Sequence, residues 1–318
     1  MAIPGSAAAG NQRVFVTGAT GYVGRHVLAR LAKAGFAVRI LARKGSNTAA
    51  LSALTTDVHR GTITDRESLR GACEDCFSIV HLVGIINEVE DTFQRIHVEG
   101  TRNIVDEAKS AGVKRFVYLS GLGSRPNAAS RYHKTKYEAE QIVTSSGLGG
   151  YNFPASVIFG PEDEFLNLFV KFARNIINPR YPPWPIMPAI AGGRNYLQPI
   201  WVEDVAEVLT RACAPDFPKT LRPGTYELAG PEALTVREIM QIACDAAGRK
   251  RIFVPVPMFA ARIMAAVMER VSRKPLLTRD QLIMLAEDGR PKHNTTPEIL
   301  GHEPRRLADY AKERFSVR

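Results

Sequence analysis

Four cysteines in 318 residues are too few for a disulfide-stapled fold. The one C-x-x-C, Cys73 and Cys76, has no second pair at metal-ligand spacing. Both cysteines therefore read as structural residues near the end of a short helix, with no metal site and no redox pair. A reducing compartment such as the cytoplasm fits. No apolar run is long enough to cross a bilayer. Met1 to Gly10 has neither a basic start nor a long apolar stretch, and reads as a flexible tail rather than a signal peptide. There is no internal repeat, no low-complexity tract and no nucleic-acid motif, so no nucleic-acid partner is expected. Acidic residues are the scarcer charge: 42 Lys and Arg against 32 Asp and Glu leave a net charge of +10. The excess is scattered, with small clusters at Arg249-Lys250-Arg251, Arg290-Pro291-Lys292 and Arg305-Arg306. Such a surface attracts phosphates or an anionic bilayer face.

The first half of the chain alternates strand and helix signals. Val14–Thr17, Ala37–Ala42, Val58–Arg60, Ile79–Val83, Phe116–Leu119 and Ser156–Phe159 read as strands. Between them, Gly24–Ala34, Asp91–Ala111 and Tyr132–Ser145 carry apolar residues at helical spacing. Repeated βα units of this kind imply an α/β fold: a Rossmann-type, doubly wound parallel sheet covered on both faces. The rhythm changes after Gly160. Pro179–Pro188 is dense in proline, which rules out regular structure there and implies a packed loop. Capping boxes at Thr235 with Glu238 and Thr278 with Gln281 start later helices. Pro257–Arg273 is apolar on one side and basic at its end, which suits core packing, with docking on a membrane surface as the alternative. The expected organisation is a tail over 1–10, a nucleotide-binding domain over 11–160, and a smaller, mostly helical C-terminal domain over 161–318. The chain is expected to return to the first domain around 194–230.

Gly18-Ala19-Thr20-Gly21-Tyr22-Val23-Gly24 follows a strand and opens a helix. In that setting Gly18 permits a tight turn, Gly21 lets backbone approach a pyrophosphate, and Gly24 allows close helix–strand packing. The helix N-terminus then offers free N–H groups to the phosphates. At the end of the second strand, where NAD readers place a carboxylate, this chain has Arg43 and Lys44. A guanidinium grips a 2′-phosphate that a carboxylate repels, so NADP(H) is the expected cofactor, ahead of NAD(H). Further on, Tyr132 and Lys136 stand at i and i+4 and share a helical face. An ammonium beside a phenol is expected to lower its pKa and make Tyr132 a general acid/base.

The T-G-x-x-G-x-x-G turn, the Tyr-x-x-x-Lys pair and His97-Val98-Glu99-Gly100-Thr101-Arg102-Asn103 resemble the extended and atypical short-chain dehydrogenase/reductases. Within that superfamily the chain is most similar to proteins like the nucleotide-binding accessory subunit of respiratory complex I. That similarity rests on Val80–Ile86, Phe159–Asp163, Gln198–Ala206 and Leu277–Leu282. The resemblance implies that Gly18, Thr20, Gly21, Tyr22, Val23 and Gly24 cradle the pyrophosphate. It implies that Thr62 and Ile63 lie against the adenine, and Leu82, Val83 and Gly84 beside the adenosine and ribose. Lys136 would hold the nicotinamide ribose, with Tyr132 facing the substrate and Ser120 or Ser124 polarising its oxygen. Catalytic relatives place a second hydroxyl where this chain has Leu122.

Three functions remain open on this reading. The first is an NADP(H)-dependent oxidoreductase acting on a carbonyl, alcohol or quinone-related substrate. The second is a non-catalytic NADPH-binding subunit or assembly factor of a complex I or ubiquinone-biosynthesis system, in peripheral contact with a membrane. A sugar-nucleotide epimerase or dehydratase comes third, disfavoured by the short loop before Tyr132 and the apolar stretch Tyr181–Ile190. That stretch suggests a hydrophobic small-molecule ligand.

Overall fold

The computed structural model describes residues 12–174, 185–217, 221–272 and 275–316. The tail over 1–10, the stretch 181–184 and Arg273 lie outside them. Along the chain the elements are β1 (Arg13–Thr17), α1 (Tyr22–Lys33), β2 (Ala37–Ala42), β3 (Asp57–Arg60), β4 (Cys76–His81), α2 (Gly100–Ser110), β5 (Arg115–Gly121), α3 (Arg131–Thr144) and β6 (Gly150–Ala155). There follow β7 (Ile158–Phe159), α4 (Leu166–Arg174), β8 (Ile186–Ile190), β9 (Tyr196–Leu197), β10 (Ile200–Trp201), α5 (Val202–Cys213), β11 (Gly224–Thr225), β12 (Leu234–Thr235) and α6 (Val236–Ala246). The last are β13 (Ile252–Val256), α7 (Met258–Val271), α8 (Arg279–Ala286), α9 (Thr296–Leu300) and α10 (Leu307–Phe315).

Seven strands form one sheet in the order β11-β6-β5-β4-β1-β2-β3, every neighbouring pair parallel. The strands are short and rich in Val, Ile and Phe because both faces are covered: Val14, Val16, Val80 and Val117 lie in one core, Phe15, Ile79 and Phe116 in the other. The strand order reverses between β1 and β4. That switch point opens a crevice at the carboxyl ends of the strands, where α/β sheets bind ligands. After β7 the chain builds a third core around Phe159, Met187, Ile239 and Tyr310, then α5 packs on α1 and β11 joins the edge of the large sheet.

Several elements differ from the sequence reading. The fourth strand is Cys76–His81 rather than Ile79–Val83. Leu82 donates its N–H to Thr17 O at 3.2 Å, and the chain then leaves the sheet beneath the glycine turn. The sixth strand is Gly150–Ala155, and Ile158–Phe159 pairs instead with Ile200–Trp201. Pro154 hid that strand. Cys73 lies in a turn and Cys76 opens β4, so neither ends a helix. Both are free and buried, and burial pushes both thiols up, Cys76 to about 11. The proline-dense stretch does contain a strand, β8, paired in parallel with β13. A two-stranded pair tolerates Pro188 because alternate N–H groups there face away from the partner. Both capping boxes are present.

The expectation for Pro257–Arg273 fails in an informative way. The helix forms as α7, but it buries only Ala261 and Ala265 and leaves its large apolar residues outward.

A Cβ at position 24 would lie 2.0 Å from Gly18 O and 2.8 Å from Ala19 Cα, both backbone atoms. Gly24→Ala must therefore lever α1 off the turn. We expect a loss of about 2 kcal/mol or more in urea unfolding, beyond the ordinary gain that alanine brings to a helix.

Candidate functional site

The glycine turn sits at the switch point. Gly18 has φ +78°, and a side chain there would press on the Leu82–Val83 backbone at 3.2 Å. Gly21 precedes α1 in extended conformation, with no side chain capping the helix. The first N–H groups of α1 thus remain for an anion, with Thr20 exposed at the tip. This is a close-approach cradle that Cβ atoms would fill, and it fits a dinucleotide pyrophosphate. Tyr22 and Val23 open α1, and Val23 packs partly against the first core. The Tyr22 ring turns away, edge-on to His26, and its hydroxyl lies under Gly160.

Across the crevice, β5 and α3 bring the other candidates together. Tyr132 packs its ring over Gly121, where an added Cβ would meet Cε1 at 2.9 Å and the hydroxyl at 3.1 Å. Ser120 and Ser124 place their hydroxyl oxygens 3.4 Å apart, and Ser124 donates to Gly121 O at 2.7 Å. Three hydroxyls therefore gather around the last residues of β5. Lys136 is buried, donates to Leu119 O at 2.8 Å and stands 4.4 Å over the Tyr118 ring. A Cβ on Gly84 would lie 3.7 Å from its Nζ, so Gly84 and Lys136 adjoin.

The electrostatics correct one expectation. Burial pushes the Tyr132 phenol up to about 12 and pulls Lys136 down to about 7. The ammonium is satisfied by a carbonyl and a ring rather than by the phenol, so it does not lower the tyrosine. Tyr132 holds its proton at neutral pH and is equipped to donate it.

Four polar residues escaped the sequence reading. His97 accepts from Ile85 N–H at Nε2 (3.1 Å) and pairs through Nδ1 with Thr135 Oγ1 (2.9 Å). His81 bridges Thr17 Oγ1 at 2.7 Å and Thr101 Oγ1 at 3.1 Å. Burial pulls both imidazoles far down, to about 2 and about 3 respectively, so they are neutral struts. Glu140, one turn beyond Lys136, is buried beside it, and one carboxylate oxygen has no hydrogen-bond partner. Burial pushes Glu140 up to about 7, against the opposing pull of Ser120 and Lys136. Asp280, from α8, caps α3: it accepts from Ser130 Oγ (2.9 Å), Arg131 N (2.8 Å) and Tyr132 N (3.2 Å). Only the i+8 spacing of Glu140 was a signal visible in sequence.

The remaining candidates flank the crevice on the β2–β3 side. Arg43 and Lys44 are exposed just beyond β2. Thr62 follows β3, its N–H held by Ser68 Oγ at 3.0 Å, and Ile63 is buried with its carbonyl accepting from Asn103 Nδ2 at 2.8 Å. Leu82 and Val83 underlie the glycine turn. Among the described residues no group of His, Cys, Asp and Glu could hold a metal ion, and no helix is long and apolar enough to cross a membrane.

The model of the NmrA-like family matches residues 10–274. The chain is 26% identical over 260 residues to NADH dehydrogenase [ubiquinone] 1 alpha subcomplex subunit 9, mitochondrial, of Arabidopsis thaliana, covering 79% of this chain and 62% of that protein. It thus spans less than two thirds of that relative's length. It is 28% identical over 248 residues to a ceramide reductase of Caulobacter vibrioides, covering 77% of this chain and 73% of that one. The fold is that of an NADPH-dependent quinone oxidoreductase from Escherichia coli, solved with NADPH: TM-score 0.74, 20% identity, 95% of this chain and all of the other. The chain accordingly carries an NAD(P)-binding Rossmann fold of the extended short-chain dehydrogenase/reductase type.

Glu140 gives a test by pH. Its carboxyl rises from 4.5 to about 7 on folding, so its stabilising share is full below the lower value and lost as pH climbs through the upper. Glu140→Gln removes that loss. Relative to wild type, the variant should gain about 1–3 kcal/mol in urea unfolding between about pH 4.5 and about pH 8.

Proposed function

The chain belongs to the NmrA-like family, and from that premise we propose that it is an NADP(H)-dependent reductase acting on the carbonyl of an apolar substrate, quinone-related compounds included. The observation that carries this reading is the gathering of the Tyr132, Ser120 and Ser124 hydroxyls around Gly121, at the mouth of the crevice that the glycine turn closes from the other side.

The bound nicotinamide supplies the hydride. The α1 N-terminus holds the pyrophosphate, and Arg43 with Lys44 hold the 2′-phosphate that selects NADP(H) over NAD(H). Lys136, within reach of Gly84, holds the ribose hydroxyls. Ser120, or Ser124 once its hydroxyl turns from Gly121 O, donates a hydrogen bond to the substrate oxygen as negative charge grows on it. Tyr132 gives that oxygen its proton. A phenol raised to about 12 keeps its proton at neutral pH, so the populated form is the one that reduction of a carbonyl needs, and little phenolate is present to take a proton from an alcohol. The exposed Ile86 and Val89, on the loop after β4, supply an apolar approach. The Caulobacter relative's name, ceramide reductase, supports the same substrate class.

A second reading has its own support. Leu122 stands where catalytic relatives carry a hydroxyl, and Lys136 already donates to Leu119 O and lies over the Tyr118 ring. A cofactor-holding subunit of a membrane redox assembly would show both features, and the Arabidopsis relative is named as a subunit of NADH dehydrogenase [ubiquinone].

NADPH consumption with quinone and carbonyl acceptors separates the two. Under the reductase reading, Tyr132→Phe lowers turnover by about 10²–10⁴ while NADPH affinity stays unchanged. Turnover unaffected by that substitution would overturn Tyr132 as the proton donor, and turnover absent from wild type with every acceptor would leave the cofactor-holding role.

A further inference from the structure

Helix α7 is built inside out for a water-soluble surface. Its buried side is Ala261 and Ala265, while Phe259, Ile263, Val267 and Val271 are 69%, 62%, 53% and 78% exposed. These four recur at i, i+4, i+8 and i+12 and form one stripe along the helix. Met264 widens it. The neighbouring β8–β13 pair adds Ile186, Ile252 and Val254, and Leu276 follows the helix. Among the described residues these make up nine of the twelve exposed large apolar side chains, so the exposure is one patch rather than scatter.

Charge says what covers it. Arg262 lies beside the stripe on α7 and Arg270 near its C-terminal end, both exposed, and Arg249 and Lys250 lie exposed just before β13. The acidic residue of the helix, Glu269, is taken up by Arg279, whose N–H and Nε it accepts at 2.8 and 2.7 Å. Asp245, at the end of α6, accepts from Gln241 Nε2 at 2.7 Å. The patch is thus apolar with a cationic rim, on a chain of net charge +10. It is also a single helix with its bulky side chains outward, a shape that sinks into a fluid surface. We propose that the outer face of α7, with β13 beside it, seats the protein on an anionic lipid bilayer. Phe259, Ile263, Val267 and Val271 enter the headgroup–acyl boundary to about 5–10 Å, and the arginines pair with lipid phosphates.

The seat is joined to the crevice. α7 packs on α8, and α8 supplies Asp280, which caps the helix carrying Tyr132. Docking there brings the crevice near the source of an apolar substrate. The proposal itself stands on the surface alone and holds whether or not the site turns over.

The test is co-sedimentation of the full chain with phosphatidylcholine vesicles, with and without phosphatidylglycerol. Retained circular dichroism and retained NADPH binding certify the fold of each variant. We expect binding to the anionic vesicles, weakened by high salt. Phe259→Gln with Ile263→Gln should weaken it by about tenfold or more. Arg262→Gln with Arg270→Gln should weaken it by about tenfold on anionic vesicles, with little change on neutral ones. Absence of vesicle binding would overturn the proposal, as would wild-type binding by the folded Phe259/Ile263 variant. A dimer that forms through this face, dissolves in that variant and leaves vesicles unbound would assign the patch to a second copy instead.

Discussion

The Lys136 ammonium donates to Leu119 O at 2.8 Å and lies 4.4 Å over the Tyr118 ring, in a place from which water is almost excluded. A buried cation must be paid back by geometry, and the surrounding residues supply it. The end of β5 turns a carbonyl inward, Tyr118 offers its π-face, and Glu140 stands one helical turn away. His81 and His97, which sit close enough to feel the charge, are kept neutral by burial and by the cation itself. Their hydrogen bonds tie β1, β4, α2 and α3 into one frame. Tyr132 inherits its position from the same helix and keeps its proton because the site is dry.

Two contacts made by distant chain segments hold that frame in register. Gly18 and Gly24 let α1 close on the turn above Leu82–Val83, which fixes the phosphate side of the crevice. Asp280 caps α3 from the C-terminal elements, and Glu287, just beyond α8, takes Arg125 in a two-pronged pair at 2.7 and 2.9 Å. The catalytic candidates therefore sit where the large sheet meets α8. Anything that moves α7 and α8 bears directly on the N-terminus of α3.

The sheet and the glycine turn were legible because each follows from short-range pattern. β2 reads off its apolar residues to the residue, and the Tyr132–Lys136 spacing needs only helical geometry. Three kinds of feature were not legible. Pro154 masked β6, since a strand pairing through its neighbours can carry a residue without an N–H. The response of Tyr132 depends on burial, which reverses the shift that its lysine neighbour suggests. Asp280 and the histidine struts depend on contacts across 12 to 150 positions, which no local pattern encodes. For α7 the apolar periodicity was correct, but periodicity does not say which face the fold covers.

On the proposed function, this crevice holds a phosphorylated nicotinamide cofactor that comes and goes during turnover. Fluorescence titration with NADPH and NADH, on wild type and Arg43→Ala, followed by the rate at which bound NADPH exchanges, tests it directly. The account predicts a preference for NADPH that falls about tenfold or more without the Arg43 guanidinium, with exchange in seconds or faster. Equal affinity for the two cofactors, or a preference untouched by Arg43→Ala, would contradict the assignment of the 2′-phosphate. Exchange over hours would contradict turnover and leave a cofactor held for structure.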